Sequence, residues 1–196
     1  MSEPDQSLDE RLQEYVKAAV PSPPGPPARD PVNRPMIHHW CDAIGDTNPI
    51  YVDEELAAQS VHGGLVAPPT MLQAWGMPGL RGRGPSLPEH ARAPALVGGN
   101  RNRGPVALLH EAGYTSVVAT DSEQEYKRYL RPGDVLRMSG GLESISSEKK
   151  TALGDGYFVT NKTTYWDQND EVVAEMRFRI LWFKPRRRGG GEESQP

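Results

Sequence analysis

One short stretch, Gly45-Asp46-Thr47-Asn48-Pro49-Ile50-Tyr51-Val52-Asp53, holds side chains whose types and spacing can handle protons. Asp46 brings a carboxylate, Asn48 an amide and Tyr51 a phenol. An unperturbed phenol ionises near pH 10, so Tyr51 works as a base at neutral pH only if its surroundings shift it strongly. The same residues also have an architectural use, because Asp and Asn bond their own backbone in tight turns and Pro49 fixes the next φ angle. Other chemical groups are scattered. His38 and His39 are adjacent, about 100° apart on a helix, and cannot both face one metal. His62 and His110 stand alone, and no Cys/His spacing resembles a zinc site. Trp75 reads as core, or as the wall of an apolar cavity.

The elements that position these residues are marked by prolines, caps and alternation. Ser7 and Glu10 have the spacing of a capping box, and Leu8, Leu12, Tyr15, Val16 and Ala19 follow on one helical face. Pro21-Ser22-Pro23-Pro24-Gly25-Pro26-Pro27 cannot continue a helix and reads as an extended arm. A second helix is expected over Pro35–Ile44, with Met36, Trp40 and Ile44 on one side, delivering the chain to the Gly45–Asp53 loop. A short helix over Asp53–Ser60 follows, and the apolar segment from Pro68 to about Met77, with its prolines in the first turn, is the expected central helix. A Pro-, Gly- and Arg-rich loop spans Gly79–Pro105, after which the pattern turns to strands. Val172, Ala174, Met176, Phe178, Ile180 and Trp182 share one face of the last strand, while Glu175, Arg177 and Arg179 share the other. Asp167–Asp170 makes a hairpin with a strand over Gly156–Trp166. Arg131-Pro132-Gly133-Asp134 is a type II turn joining strands near Glu123–Leu130 and Val135–Ser144. Helices first and antiparallel strands later give an α+β class.

The stretch from Trp40 to Asp53 resembles the MaoC-like, (R)-specific enoyl-CoA hydratase family, whose motif reads G-D-x-N-P-hydrophobic-H-x-D. The resemblance implies a hot-dog fold, an antiparallel sheet wrapped around a central helix. It also implies addition of water to a conjugated thioester by a carboxylate and an imidazole that share one water. Here Tyr51 occupies the position of the imidazole. Where the family reads A-H-G and uses a backbone N–H as oxyanion donor, this chain reads Ala67-Pro68-Pro69-Thr70-Met71-Leu72. Pro69 then falls on the glycine and has no N–H; an alternative alignment runs through His62-Gly63-Gly64.

A longer similarity takes in Asp30–Asn33, Asn48–Asp53, Val66–Pro69, Ala112–Tyr114, Val117–Thr120, Gln124–Tyr126, Arg128–Leu130, Thr151–Gly154 and Arg179–Pro185. These stretches resemble the MaoC-like domain of the larger subunit of the actinobacterial steroid (cholesterol) side-chain enoyl-CoA hydratase. That resemblance implies a heteromer, with the Asp/His dyad on a smaller partner chain. Asp46, Asn48 and Tyr51 are then a degenerate motif, and Val66, Ala67, Pro69, Thr70, Ala74 and Trp75 line space for the acyl group. It implies no cofactor beyond the CoA carried by the substrate. A thiolase-like aldolase would dock through a C-terminal domain absent here. Residues 1–29 read as helix and arm, 30–185 as the hot-dog domain and 186–196 as a flexible tail or linker stub. A self-contained hydratase using Asp46 with Tyr51 or His62, and an acyl-CoA-binding scaffold, are the alternatives.

Composition bounds these readings. The chain has 196 residues, 36% of them hydrophobic, enough for one domain with a real core. Its single cysteine, Cys41, forbids an internal disulfide and suits a reducing cytoplasm. A net charge of −4 gives no footprint for nucleic acid. No apolar run reaches membrane-spanning length and no signal peptide opens the chain. Arg186-Arg187-Arg188 is the only basic run and reads as solvated. The loop arginines Arg81, Arg83, Arg101 and Arg103 read as solvated too, or as contacts for CoA phosphates.

Overall fold

Period-two alternation carries from the sequence into the sheet. The structure, a computed structural model, describes residues 6–77 and 104–186. Strands β1 (Ser116–Tyr126), β2 (Arg137–Ile145), β3 (Lys149–Lys150), β4 (Gly154–Trp166) and β5 (Val172–Pro185) form one antiparallel sheet in the order β1-β5-β4-β2, with β3 also paired to β4. In β5, Ala174, Met176, Ile180 and Trp182 are buried on one face, and Glu175, Arg177 and Arg179 stand on the other, as the pattern requires. The β4–β5 hairpin closes where expected, with Asp170 at φ 64°. There the Asp167 carboxylate accepts the backbone N–H groups of Asn169 at 2.8 Å and Glu171 at 3.0 Å.

The turn at Arg131–Asp134 also forms. Gly133 has φ 97°, and the Asp134 N–H reaches the Arg131 carbonyl at 3.0 Å. Its neighbours differ from expectation, however. β1 runs from Ser116 and ends at Tyr126, not over Glu123–Leu130, and β1 and β2 lie at opposite edges of the sheet. Residues 127–136 therefore cross from edge to edge. The crossing is pinned to the β4–β5 turn by Arg128, which grips Asp134 at 2.7 and 3.0 Å and Asp167 at 3.0 Å. Gln168 accepts the Val135 N–H at 3.0 Å.

The helices cover the apolar face in two groups. Helix α1 (Leu8–Ala18) starts at the expected capping box and buries Leu12 completely. Helix α2 (Arg34–Ile44) is capped by Asn33 and ends at Gly45 in a left-handed conformation that glycine adopts without strain. It buries Ile37 and Cys41, with Met36 and Trp40 half-buried. Ile44 is 55% exposed, a correction to the expected apolar side. Helices α3 (Pro49–Val52) and α4 (Glu54–Gln59) follow.

The central helix is a further correction. In place of one helix over Pro68–Met77, a 3-10 turn (Pro69–Met71) leads into the short α5 (Leu72–Trp75). Helix α6 (Gly104–Glu111) then forms where a loop ended and strands were expected to begin. Pro105 suits its first turn, and Val106 and Leu109, three apart, bury together. One core cluster joins α2, α3, the 69–75 segment and the Tyr165 and Val173–Met176 end of the β4–β5 hairpin. The other joins α1 and α6 to Tyr157, Val159, Ile180 and Trp182.

The two sheet edges end differently. Along β2, the N–H groups of Ser22, Gly25, Ala28 and Val32 donate to the carbonyls of Gly140, Met138, Leu136 and Asp134 at 2.7–3.2 Å. From Pro21 to Ala28 every residue except Ser22, Gly25 and Ala28 is proline, and those three N–H groups are spent on β2 and on Leu136 just before it. At β1, among the described residues, nothing pairs with the outer side, and all of the strand except Ser116 and Gln124 is exposed.

Candidate functional site

The Gly45–Asp53 loop is built from its own polar side chains. Asp46 Oδ1 accepts the Asn48 N–H at 3.0 Å, and the Asp46 N–H returns to the Cys41 carbonyl at 2.9 Å. Asn48 Oδ1 accepts the Ile50 N–H at 3.2 Å and so caps α3, with Pro49 in the first turn. Asp53 caps α4 through the Leu56 N–H at 2.9 Å. These bonds set Tyr51 into the core, 8% exposed, while Asp46 stays half-exposed at the surface.

Burial pushes the Tyr51 phenol above its ordinary range, and Tyr129, Asp46 and Cys41 add to the shift. A phenol shifted upward is protonated at neutral pH; it donates hydrogen bonds and does not abstract protons. Burial, with Asp46 and Asp42 nearby, likewise raises Cys41, which removes it as a thiolate nucleophile.

The other expected site residues fall around this loop unevenly. Val66 and Ala67 are buried, and their N–H groups are spent on the carbonyls of Ile50 at 3.4 Å and Leu130 at 2.8 Å. The Pro69 carbonyl accepts the Tyr126 hydroxyl at 3.0 Å. Thr70 is exposed and Ala74 half-buried. Trp75 is buried, and its indole N–H has no partner among the described residues. His62 comes close as well, its ring centroid 4.4 Å from that of Tyr129, and its carbonyl accepts Arg131. His38 Nε2, Trp40 Nε1 and Tyr165 Oη are also buried without partners among the described residues. At the other end of the molecule the buried phenols have partners. There Tyr157 donates to Asp9 at 2.5 Å and Tyr114 donates to Glu148.

Tyr126, Tyr129, Arg131 and Tyr165 were assigned no site role in the sequence. Tyr126 and Tyr129 enter the sequence reading only through the longer resemblance, Arg131 as a turn residue and Tyr165 within a strand, because nothing local places the crossing segment beside α3. Arg81, Arg83, Arg101 and Arg103 lie outside the described residues. No His, Cys, Asp or Glu cluster able to hold a metal occurs among the described residues, and no helix among them is long and apolar enough to cross a membrane.

The profile of the FAS1-like, dehydratase domain region matches residues 24–176. The chain belongs to the FAS1-like dehydratase family. It is 47% identical, over 184 residues, to a probable enoyl-CoA hydratase alpha subunit of Thermomonospora curvata, covering 93% of this chain and 54% of the relative. It is 48% identical, over 171 residues, to the 3-oxo-4,17-pregnadiene-20-carboxyl-CoA hydratase alpha subunit of Mycobacterium tuberculosis, covering 87% and 50%. The chain thus spans about half the length of the curated relatives it matches. The crystal structure of the ChsH1-ChsH2 complex from M. tuberculosis superposes with a TM-score of 0.73 at 44% identity, over 91% of this chain and 96% of that one. A MaoC-like dehydratase from Rhodospirillum rubrum, at 20% identity and a TM-score of 0.56 over 88% and 98% of the two chains, shares the hot-dog fold. This FAS1-like dehydratase domain is therefore a hot-dog with a tyrosine in its hydratase motif.

Proposed function

We infer that this chain is the non-catalytic MaoC-like half of a heteromeric enoyl-CoA hydratase, with the Asp/His dyad on a smaller hot-dog partner. The observation that carries the reading is the state of Asp46 and Tyr51. The Asp46 carboxylate holds a turn, and the Tyr51 phenol is buried and shifted toward its protonated form. Hydration adds the water oxygen to the β-carbon of the enoyl thioester and a proton to the α-carbon, which needs one group to take a proton and another to give one. The pair in this loop does neither well. Its oxyanion position is weakened too, since Pro69 has no N–H and that of Ala67 is bonded to Leu130.

The same chain can shape a site without performing the chemistry. Its open β1 edge accepts a partner strand, and Val66, Ala67, Pro69, Thr70, Ala74 and Trp75 border the space beside the degenerate loop. The substrate is a bulky enoyl-CoA. The pregnadiene-carboxyl-CoA named for the Mycobacterium relative supports a steroid side chain. The reaction draws on no cofactor, CoA being part of the substrate, and runs in the cytoplasm, where the buried Cys41 thiol stays reduced. A thiolase-like aldolase is a second partner in this reading.

Co-expression with a dyad-bearing hot-dog chain tests the reading. The isolated chain is expected to hydrate neither crotonyl-CoA nor a steroid enoyl-CoA, and the complex to hydrate the steroid substrate. Turnover by the chain alone would favour a self-contained enzyme, and no turnover by the complex would favour an acyl-CoA-binding scaffold. Ala74→Phe in the complex should slow the steroid substrate far more than crotonyl-CoA, because only the ring system meets the new side chain.

A further inference from the structure

The open strand sorts its charge by face. Asp121, Glu123 and Glu125 alternate along β1, all exposed, and stand across from Arg179, Arg177 and Glu175 of β5. The basic groups lie one and two strands inward, and most are already engaged. Arg177 Nε bonds Glu143 of β2 at 2.8 Å, and Lys162 of β4 holds Glu175 at 2.7 Å. Arg179 comes no closer to Asp121 than 3.5 Å. Glu125 faces a carboxylate across the strand pair and is paired with Lys127, two residues along its own chain. The rim of the sheet is thus acidic and its interior rows basic.

That arrangement bears on what can complete the sheet. A second copy joining antiparallel through the same edge obeys a two-fold axis, so the patch on one chain meets itself on the other. With Glu123 at the axis, it would face its own mate, and Asp121 would face Glu125 on both sides. Like charges directly opposite across a strand pair are destabilising, and opposite charges are favourable by a similar amount. The backbone of β1 offers hydrogen bonds to any strand, while its side chains penalise this one.

We propose that the β1 edge is charged to refuse a second copy of this chain and to accept a strand of a different chain whose outer face carries Lys or Arg at alternate positions. This rests on reading β1 as the docking edge of a heteromeric hydratase half. It deepens that reading by giving the chemical feature that makes the partner a different protein.

Sedimentation equilibrium of the full chain tests it without any partner. Raising NaCl from about 20 mM to about 500 mM shortens the screening length from about 20 Å to about 4 Å, so wild-type self-association should tighten with salt. The variant Asp121→Asn/Glu123→Gln/Glu125→Gln should self-associate roughly 10-fold or more tightly than wild type at low salt. A mixture of wild type with Glu123→Lys/Glu125→Lys should form mixed dimers more tightly than either protein pairs with itself, and salt should erase the preference. Circular dichroism melts establish that the variants are folded, and the wild-type salt series needs no variant. Self-association that ignores salt and neutralisation, or a mixture without preference, overturns the proposal and leaves the hydratase reading standing. A complex that fails to hydrate enoyl-CoA strikes the hydratase reading, while the mixing experiment still scores the charge selection.

Discussion

The two edges of this sheet face the same hazard, unpaired backbone groups that any passing strand can complete, and they meet it in opposite ways. The first half of the β2 edge and the residues before it are covered by residues 21–32 of the same chain, whose available N–H groups between Pro21 and Ala28 all point inward to residues 136–140. Prolines between them leave nothing for a further strand to accept. The β1 edge has no such cover among the described residues and carries charged side chains instead. One edge is finished by covalent attachment, so it is always occupied. In the proposed function the other is left for a separate chain, so its completion would depend on concentration and on chemical fit. A protein that must join one particular partner needs both arrangements, because sealing the first edge confines assembly to the second.

The contrast yields predictions of decreasing size. Deleting residues 1–29 should have the largest effect, since it opens the β2 edge and uncovers the core that Leu12 fills. Size-exclusion chromatography with light scattering should show aggregates rather than a defined species. Next comes the crossing between the edges. Asp167→Ala leaves Arg128 with Asp134 alone and two backbone N–H groups unbonded, and should cost about 1–3 kcal/mol in urea unfolding, as leaving buried donors unpaired does.

The same carboxylate sets a pH dependence. Burial opposes its charge, but the N–H of Glu171, Arg128 and the N–H of Asn169 outweigh that and hold its pKa below the ordinary value. A depressed carboxyl contributes stability that is present above its unfolded value of about 3.9 and is lost as pH falls through the lower folded value. Wild type should therefore lose stability on acidification below about pH 4 more steeply than Asp167→Asn, measured by urea midpoints across that range.

Smaller effects separate the edges themselves. Ser22 Oγ contacts Gly140 twice, accepting its N–H at 3.0 Å and donating to its carbonyl at 2.9 Å. Ser22→Ala should cost about 1 kcal/mol, read as a lowered urea midpoint. On the open side, Glu125→Gln should leave the urea midpoint of the isolated chain unchanged, because its exposed pair with Lys127 contributes little. A large loss there would mean that β1 is already covered in the free protein.

Much of this was legible in the residues. The capping box at Ser7 and Glu10, the proline arm, the faces of β5 and the turn at Arg131–Asp134 are local, each fixed by sterics or hydrogen bonds within a few residues. The motif around Asp46 carried the family and the fold. Less of the candidate site could be read. Asp46 and Asn48 were recognisable as turn formers, but the approach of His62 and Tyr129 and the atoms of Trp75 and Tyr165 left unpartnered among the described residues have no sequence signature.

The sequence by itself determined the extended arm, the β4–β5 hairpin and the apolar face of β5, and that the hydratase motif holds a phenol in place of an imidazole. Tertiary structure alone decided that β1 and β2 lie at opposite edges, that α6 and α1 cover one end of the sheet while the 69–75 segment covers the other, and that Tyr51 is buried beside Tyr129. The reason is range. Alternation and caps are written in neighbouring residues, whereas strand order depends on contacts between segments far apart in the chain, here the tie from Arg128 to Asp167. Such a tie looks, in the sequence, like any other pair of charges.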